Sequence, residues 1–248
     1  MDECVNVATR DLHLDGVELS WHDSFRRPHC TREDFEALAS RPGRGDAVLS
    51  AHVWDNIMQG DAAQAGDSLL RWLALCEKTD VNNIVIHGGA WPDQKEGIAR
   101  AHRVFESVLP AFEREHVVLN LENHYPYEYK NCQELFSQPW EFLQVLKLDS
   151  PSLRFCFDTG HGNMNRNTPE LLEALAPWLN YVHFADNHGV DDDHVAYGKG
   201  TVDWQDLFAR LGAIPATQVC CIEFPVDEDK EPLRACVAEI RRRWPVDQ

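Results

Sequence analysis

The chain is poor in the features that would place it in a membrane, outside the cell or on nucleic acid. No apolar run approaches the roughly 20 residues that a membrane helix needs, so no membrane-spanning helix is expected. The opening residues, MDECVNVATR, lack signal-peptide character, so a cytoplasmic protein is expected. The eight cysteines form no C-x-x-C pair. Cys156, Cys220 and Cys221 lie inside apolar runs, which reads as buried reduced thiols rather than a disulfide framework. Lysine occurs six times, and 23 Lys and Arg face 41 Asp and Glu, for a formal net charge of −18. That balance argues against a broad phosphate-binding surface, and so against nucleic acid as partner. Bound divalent cations could still invert the charge of a local pocket. No Pro/Gly/Ser-rich linker, charge block or shift in composition divides the chain. Residues 1–248 are therefore expected to form a single domain, a length ample for a large core.

The sequence has a strong rhythm. Seven short apolar runs recur: GVELSW, AVLSAHVW, NNIVIHGGAW, VVLNLENH, LRFCFDTGH, YVHFADNHG and VCCIEFP. Helix-like segments separate them. In EGIARAHRVFESVLPAFEREH, residues Ile98, Ala101, Phe105, Val108 and Phe112 share one face. In NTPELLEALAPWLN, Thr168 is the expected cap, Pro169 the first-turn residue, and Leu171, Leu172 and Leu175 the apolar stripe. TVDWQDLFARLG should start at an Asp203 cap and stop at Gly212. Strands alternating with helices imply parallel βα units with both sheet faces covered.

The ends of the apolar runs carry the chemistry. The run LRFCF stops abruptly at Asp158-Thr159-Gly160-His161. Taken alone, Asp158 could simply cap the next helix and His161 could be a solvated loop residue. Six successive runs, however, end on a metal-capable group: His52, His87, Glu122, Asp158 with His161, His183, and Glu223. They are 25 to 40 residues apart, about one βα repeat each, so consecutive strands deliver them to one end of the sheet. In a closed parallel barrel that end is the active face.

Glu122, Asp158, His183 and Glu223 offer three carboxylates and one imidazole. Such a set suits one divalent ion, Mn²⁺, Mg²⁺ or Co²⁺, with Zn²⁺ also compatible. The ion would polarise a substrate carbonyl or hydroxyl. Glu122 and Glu223, from strands far apart in sequence, could flank a bound substrate and move a proton between neighbouring carbons or between faces of one carbon.

At this point the chain resembles the xylose isomerase-like TIM barrels, which include sugar isomerases, sugar epimerases, inosose dehydratase and endonuclease IV. The resemblance rests on IHGG (86–89), LEN (121–123), DTGH (158–161), YVHFAD (181–186), HVAYGKGTVDW (194–204) and IEF (222–224). It implies a TIM (β/α)8-type barrel in which Glu122, Asp158, His183 and Glu223 hold the metal and the two glutamates act as acid and base. It also implies that His161 contacts substrate and that the G-x-G turn after His194 shapes the pocket rim. Only seven strand-like runs are present, so the family's first strand should be missing or replaced by another segment. A homodimer covering that gap is expected, because unpaired strand edges are usually covered.

The sequence also departs from the family's epimerases. Several of those place an Arg a few residues after the metal-binding His, and HFADNHGVDDDH has none. No phosphate-cradling loop is visible either, so phosphorylated substrates are not expected. Resemblance to endonuclease IV is closer in ligand count: His52, His87, Glu122, Asp158, His161, His183, Asp192, His194 and Glu223 match in order its nine ligands to three zinc ions. A nuclease must also grip DNA, for which this acidic chain has few basic residues. Trp54, Trp91, Tyr125, Tyr127 and Tyr129 near strand ends suit the walls of a sugar pocket. The resulting order puts a metal-dependent sugar isomerase or epimerase first. Its substrate would be a small sugar-like molecule contacted by His52, His87, His161, His194, Trp54 and Trp91. A lyase or dehydratase on a cyclic polyol or glycoside comes second, and an abasic-site nuclease third.

Overall fold

The computed structural model describes residues 5–21, 47–53, 60–215, 219–225 and 230–243. Trp54 lies outside the described residues. All seven apolar runs form strands of one sheet: β1 (Gly16–Trp21), β2 (Val48–Val53), β3 (Asn83–Ile86), β5 (Val118–Glu122), β8 (Leu153–Asp158), β9 (Leu179–Phe184) and β10 (Val219–Ile222). Their spatial order is their chain order, and every pairing is parallel. The sheet curls into a nearly closed TIM-type barrel with helices outside, which is what strand–helix repetition with right-handed crossovers produces. Among the described residues, β1 and β10 are the end strands and do not pair with each other. The last helix, Glu231–Arg243, ties the two ends together, with Arg241 donating to the His13 carbonyl at 2.7 Å.

The helices form for the reasons their spacing suggests. Helix Gln94–Arg114 buries Ile98, Ala101, Phe105, Val108 and Phe112, each no more than 2% exposed, against the outer face of the sheet. Asp93 caps it by accepting from the Glu96 N–H at 2.8 Å. Helix Trp204–Leu211 starts at the Asp203 cap (3.1 Å to the Asp206 N–H) and ends at Gly212. Helix Thr168–Leu175 differs from expectation by one residue: Asn167, not Thr168, occupies the cap position. The Asn167 side chain instead donates to the Ser137 carbonyl at 2.8 Å, pinning the helix start to another loop.

Inside the barrel, side chains alternate by strand period and stack in layers. The lowest layer contains Asn83, Asn120 and Asn180, hydrogen-bonded to one another. Above it pack Val85, Cys156 and Tyr181, with Val219 and Cys221 against them. The top layer opens at the C-terminal strand ends. A small antiparallel sheet of β4 (Ala90–Trp91), β7 (Cys132–Glu134) and β6 (Glu128–Tyr129) sits beside this end. All six described cysteines are free thiols. No described helix is long and apolar enough to cross a membrane.

Candidate active site

The top layer gathers the strand-end residues into one site. Glu122 and Asp158 are the last residues of β5 and β8, His183 is next to last in β9, and Glu223 follows β10. One ligand atom from each of Glu122, Asp158, His183 and Glu223 can be chosen so that all four lie within 4.8 Å of one another. His183 Nδ1 lies 3.2 Å from Glu122 Oε1 and 3.0 Å from Glu223 Oε2. His52 and His87 approach from the neighbouring strands. Each places Nε2 3.2 Å from Glu122 Oε2, and their Nε2 atoms are 3.1 Å apart. His52 is only 2% exposed and sits deep in the site.

Asp158 does two things at once. Its Oδ1 caps the short helix Thr159–Asn165 by accepting from the His161 N–H at 2.5 Å. Its Oδ2 is buried without any hydrogen-bond partner. A carboxylate oxygen buried and left unpaired costs about 1–3 kcal/mol or more, so it calls for a compensating partner. Asn123 holds this aspartate in place from both sides: its Nδ2 donates to the Asp158 carbonyl at 3.0 Å and its Oδ1 accepts from the Asp158 N–H at 2.7 Å.

A second cluster borders the first. His161 Nε2 and His194 Nε2 meet opposite oxygens of Asp192, at 3.4 and 3.1 Å. His194 Nδ1 donates to the Glu223 carbonyl at 2.6 Å, so this loop is fastened to β10. The loop is shaped from below by Asp186, fully buried, which accepts N–H groups from Asn187, Gly198, Gly200, Val202 and Trp204. Only glycine fits at position 200, because a Cβ there would strike the Asn187 carbonyl and Asp186 itself. His124 and Tyr125 stack at 4.5 Å and wall the site beside His87 and His161. Trp91 stands further out on β4, half-buried, with the Arg100 guanidinium 4.9 Å from its ring centre.

The site's charges are strongly coupled. Burial alone would depress the His52 pKa, yet the facing Glu122 carboxylate, with Glu223 and Glu18, carries it up to about 10. His161 likewise rises to about 10 against the effect of burial, through Asp158, Asp192 and Glu122. Burial would raise Glu122 and Glu223, but the facing imidazoles hold both well below the usual carboxylate range. Asp158 goes the other way, up to about 6, because burial dominates and its neighbours Glu122 and Glu223 are also acids. His124 falls to about 3 through burial beside His87 and His161.

The donor set fits a divalent cation. Three carboxylates and an imidazole converge, and the buried, unpartnered Asp158 Oδ2 belongs to one of them. Reading strand ends alone overlooks Glu18, Asn123, His124 and Asp186. Glu18 had a signal: period two in β1 turns it to the same face as Ser20, which pairs with His52 in register.

Together these features define a parallel α/β barrel with a carboxylate–imidazole centre at the C-terminal ends of its strands. Residues 7–243 match the family described as xylose isomerase-like TIM barrel, and the chain belongs to that family. The fold is similar to that of a D-tagatose 3-epimerase-like protein, with TM-score 0.75 and 18% identity, covering 93% of this chain and 90% of that one. A D-psicose 3-epimerase crystallised in the presence of D-fructose gives TM-score 0.73 and 17% identity, covering 94% and 90%. In sequence, an uncharacterised protein of Methanocaldococcus jannaschii is 34% identical over 89 residues, which is 34% of this chain and 30% of that protein. The chain thus aligns with less than a third of the length of that relative.

Proposed function

We propose that the protein is a divalent-metal-dependent isomerase or epimerase of a free sugar or a related polyhydroxy carbonyl compound. The observation that carries this reading is the convergence of Glu122, Asp158, His183 and Glu223 within 4.8 Å, with Asp158 Oδ2 buried and unpaired. Its setting, a fold similar to those of a D-tagatose 3-epimerase-like protein and a D-psicose 3-epimerase, supports the substrate class.

Those four residues would hold one ion, Mn²⁺, Mg²⁺ or Co²⁺, with Zn²⁺ also compatible. When bound, the ion would polarise the substrate's carbonyl oxygen and stabilise the negative charge that develops there. The chain's own residues carry the proton. Each glutamate can ligate through one oxygen and keep the other for acid–base work. Glu122 is fully buried, whereas the Glu223 side chain is 22% exposed and stands nearer the opening. One takes the proton from the carbon beside the carbonyl, and the other returns it to the opposite face or to the neighbouring carbon. His194, a quarter exposed, would reach substrate hydroxyls together with the more deeply buried His161, while His124 and Tyr125 would exclude water from one side. Protons on His52, His161 and His183 balance the carboxylates when no cation is bound, so binding one would release protons.

One observation favours a second reading. His52, His87 and Glu122 form a candidate metal group of their own, and His161, Asp192 and His194 form a third cluster beside it. A site with three ions would suit phosphodiester hydrolysis, with cations on the attacking water, the phosphate and the leaving oxygen. The net charge of −18 and six lysines weigh against a nucleic-acid substrate. Metal analysis by mass spectrometry separates the readings. One tightly bound divalent ion per chain, lost in Asp158→Ala, is expected. Undiminished metal in Asp158→Ala would refute the site, and three ions per chain with nicking of abasic DNA would move the assignment to the hydrolase.

A further inference from the structure

Beneath the site, inside the barrel, lies a carboxylate that neither the proton transfer nor the cation set uses. Glu18 projects inward from β1, its side chain 8% exposed. Its Oε2 accepts from the Tyr181 hydroxyl at 2.7 Å and lies 3.0 Å from His183 Nε2. The Tyr181 hydroxyl is also 2.7 Å from Ser50 Oγ, so the contacts run Ser50–Tyr181–Glu18–His183 across three strands. Tyr181 is fully buried and Ser50 only 4% exposed. An acid in the interior of a barrel strand is expensive unless its oxygens are used, and Oε2 takes two donors.

Both nitrogens of the His183 ring meet carboxylates, but on different sides of it. Nε2 points down to Glu18, and Nδ1 points up to Glu122 and Glu223. An imidazole can ligate only through a nitrogen that carries no proton, and the hydrogen bond made by the other nitrogen decides which one that is. With Glu122 and Glu223 engaged by a cation, Glu18 is the acceptor left for the one proton the ring keeps, so that proton sits on Nε2 and Nδ1 is the nitrogen that would ligate. Tyr181 gives the carboxylate a second anchor, so the ring cannot swing without breaking a buried chain.

We propose that Glu18 is a positioning residue: it holds the Nε2–H of His183 and thereby aims Nδ1 at the cation held with Glu122, Asp158 and Glu223. This rests on the cation reading of those four residues given above. Glu18 does not touch the substrate. Its hydrogen bond into the site goes to His183, while its other oxygen lies 3.8 Å from His52 Nδ1.

The test uses the full chain with Glu18→Leu and Glu18→Gln, and two measurements. The first is the Mn²⁺ binding isotherm followed by electron paramagnetic resonance. The second is the His183 Nε2–H proton resonance, observed through its ¹⁵N coupling in metal-free protein, with His183→Gln identifying the signal. Glu18→Leu should weaken Mn²⁺ binding about 10–100-fold and abolish the protected Nε2–H signal. Glu18→Gln keeps a neutral acceptor, so it should bind Mn²⁺ better than the leucine variant and shift the signal upfield from the parent. If Glu18→Leu does not fold, the glutamine variant decides: an unshifted Nε2–H signal overturns the proposal. Parent-like Mn²⁺ affinity in a folded Glu18→Leu overturns it as well. A parent chain that binds no Mn²⁺ defeats the metal reading instead, and the resonance still judges whether Glu18 holds the ring.

Discussion

The two ends of the barrel interior are both lined with polar side chains, and they solve the problem of burying them in opposite ways. At the N-terminal end the groups are neutral amides. Asn120 donates to Asn83 at 3.1 Å, and Asn180 donates to both Asn83 and Asn120 at 3.0 and 2.7 Å. Each amide answers another, and the layer closes on itself. At the C-terminal end the groups are titratable and crowded, and Asp158 Oδ2 is buried without a hydrogen-bond partner. A satisfied layer holds a fold together. An unsatisfied one is maintained because something else is meant to complete it.

The comparison breaks if the two layers respond alike to substitution. The largest effect is expected at the upper layer: Glu122→Gln and Glu223→Gln should each lower turnover about 10²–10⁴-fold with substrate affinity largely kept, as steady-state and binding measurements would register. A fully active Glu223→Gln would move the proton transfer to another base. At the lower layer, Asn120→Leu should cost about 1–3 kcal/mol in denaturant unfolding, because Asn83 and Asn180 lose a partner. Turnover per folded molecule should hold. If it falls as far as in the glutamate variants, the lower layer is part of the site.

A smaller effect sharpens the contrast between charge that is compensated and charge that is not. Glu134, on the rim strand β7, has its pKa raised to about 7, chiefly by burial. The folded form therefore holds a proton that the unfolded chain gives up near pH 4.5. Between those values the native state binds more protons, so stability falls as pH rises from about 4.5 through 7 and is level above. Glu134→Gln should remove that part of the slope, about 1–2 kcal/mol after allowance for partial exposure. Parallel stability–pH curves for parent and variant would show the residue to be solvated.

Much of this was legible in the sequence because the barrel repeats a simple unit. A short apolar run followed by polar residues recurs seven times with helix-like segments between, so the seven strands of the main sheet and the end they share follow from period alone. Asp158 shows why a residue can satisfy the plain reading and the chemical one together: one oxygen caps a helix and the other faces the cluster. The rim sheet was not legible, since strands of two or three residues, such as Ala90–Trp91, are too short to show any period. Glu18 escaped because attention to strand ends passes over the strand's middle, and its partner Tyr181 is 163 residues away. The helix cap at Asn167 shifted by one because its side chain is engaged by Ser137, a tertiary contact that no local pattern carries.

The central claim is that Glu122 and Glu223 pass a proton on and off a carbon beside a carbonyl in a metal-dependent way. Incubating the Mn²⁺-loaded protein with a panel of free ketoses in deuterium oxide, and following the sugars by proton magnetic resonance, tests it most directly. The account predicts that at least one ketose loses its signal at the carbon next to the carbonyl while an isomer appears, and that chelation or Glu122→Gln stops both. Metal-replete protein that exchanges no carbon-bound proton in any ketose, and yet nicks abasic DNA, would contradict it.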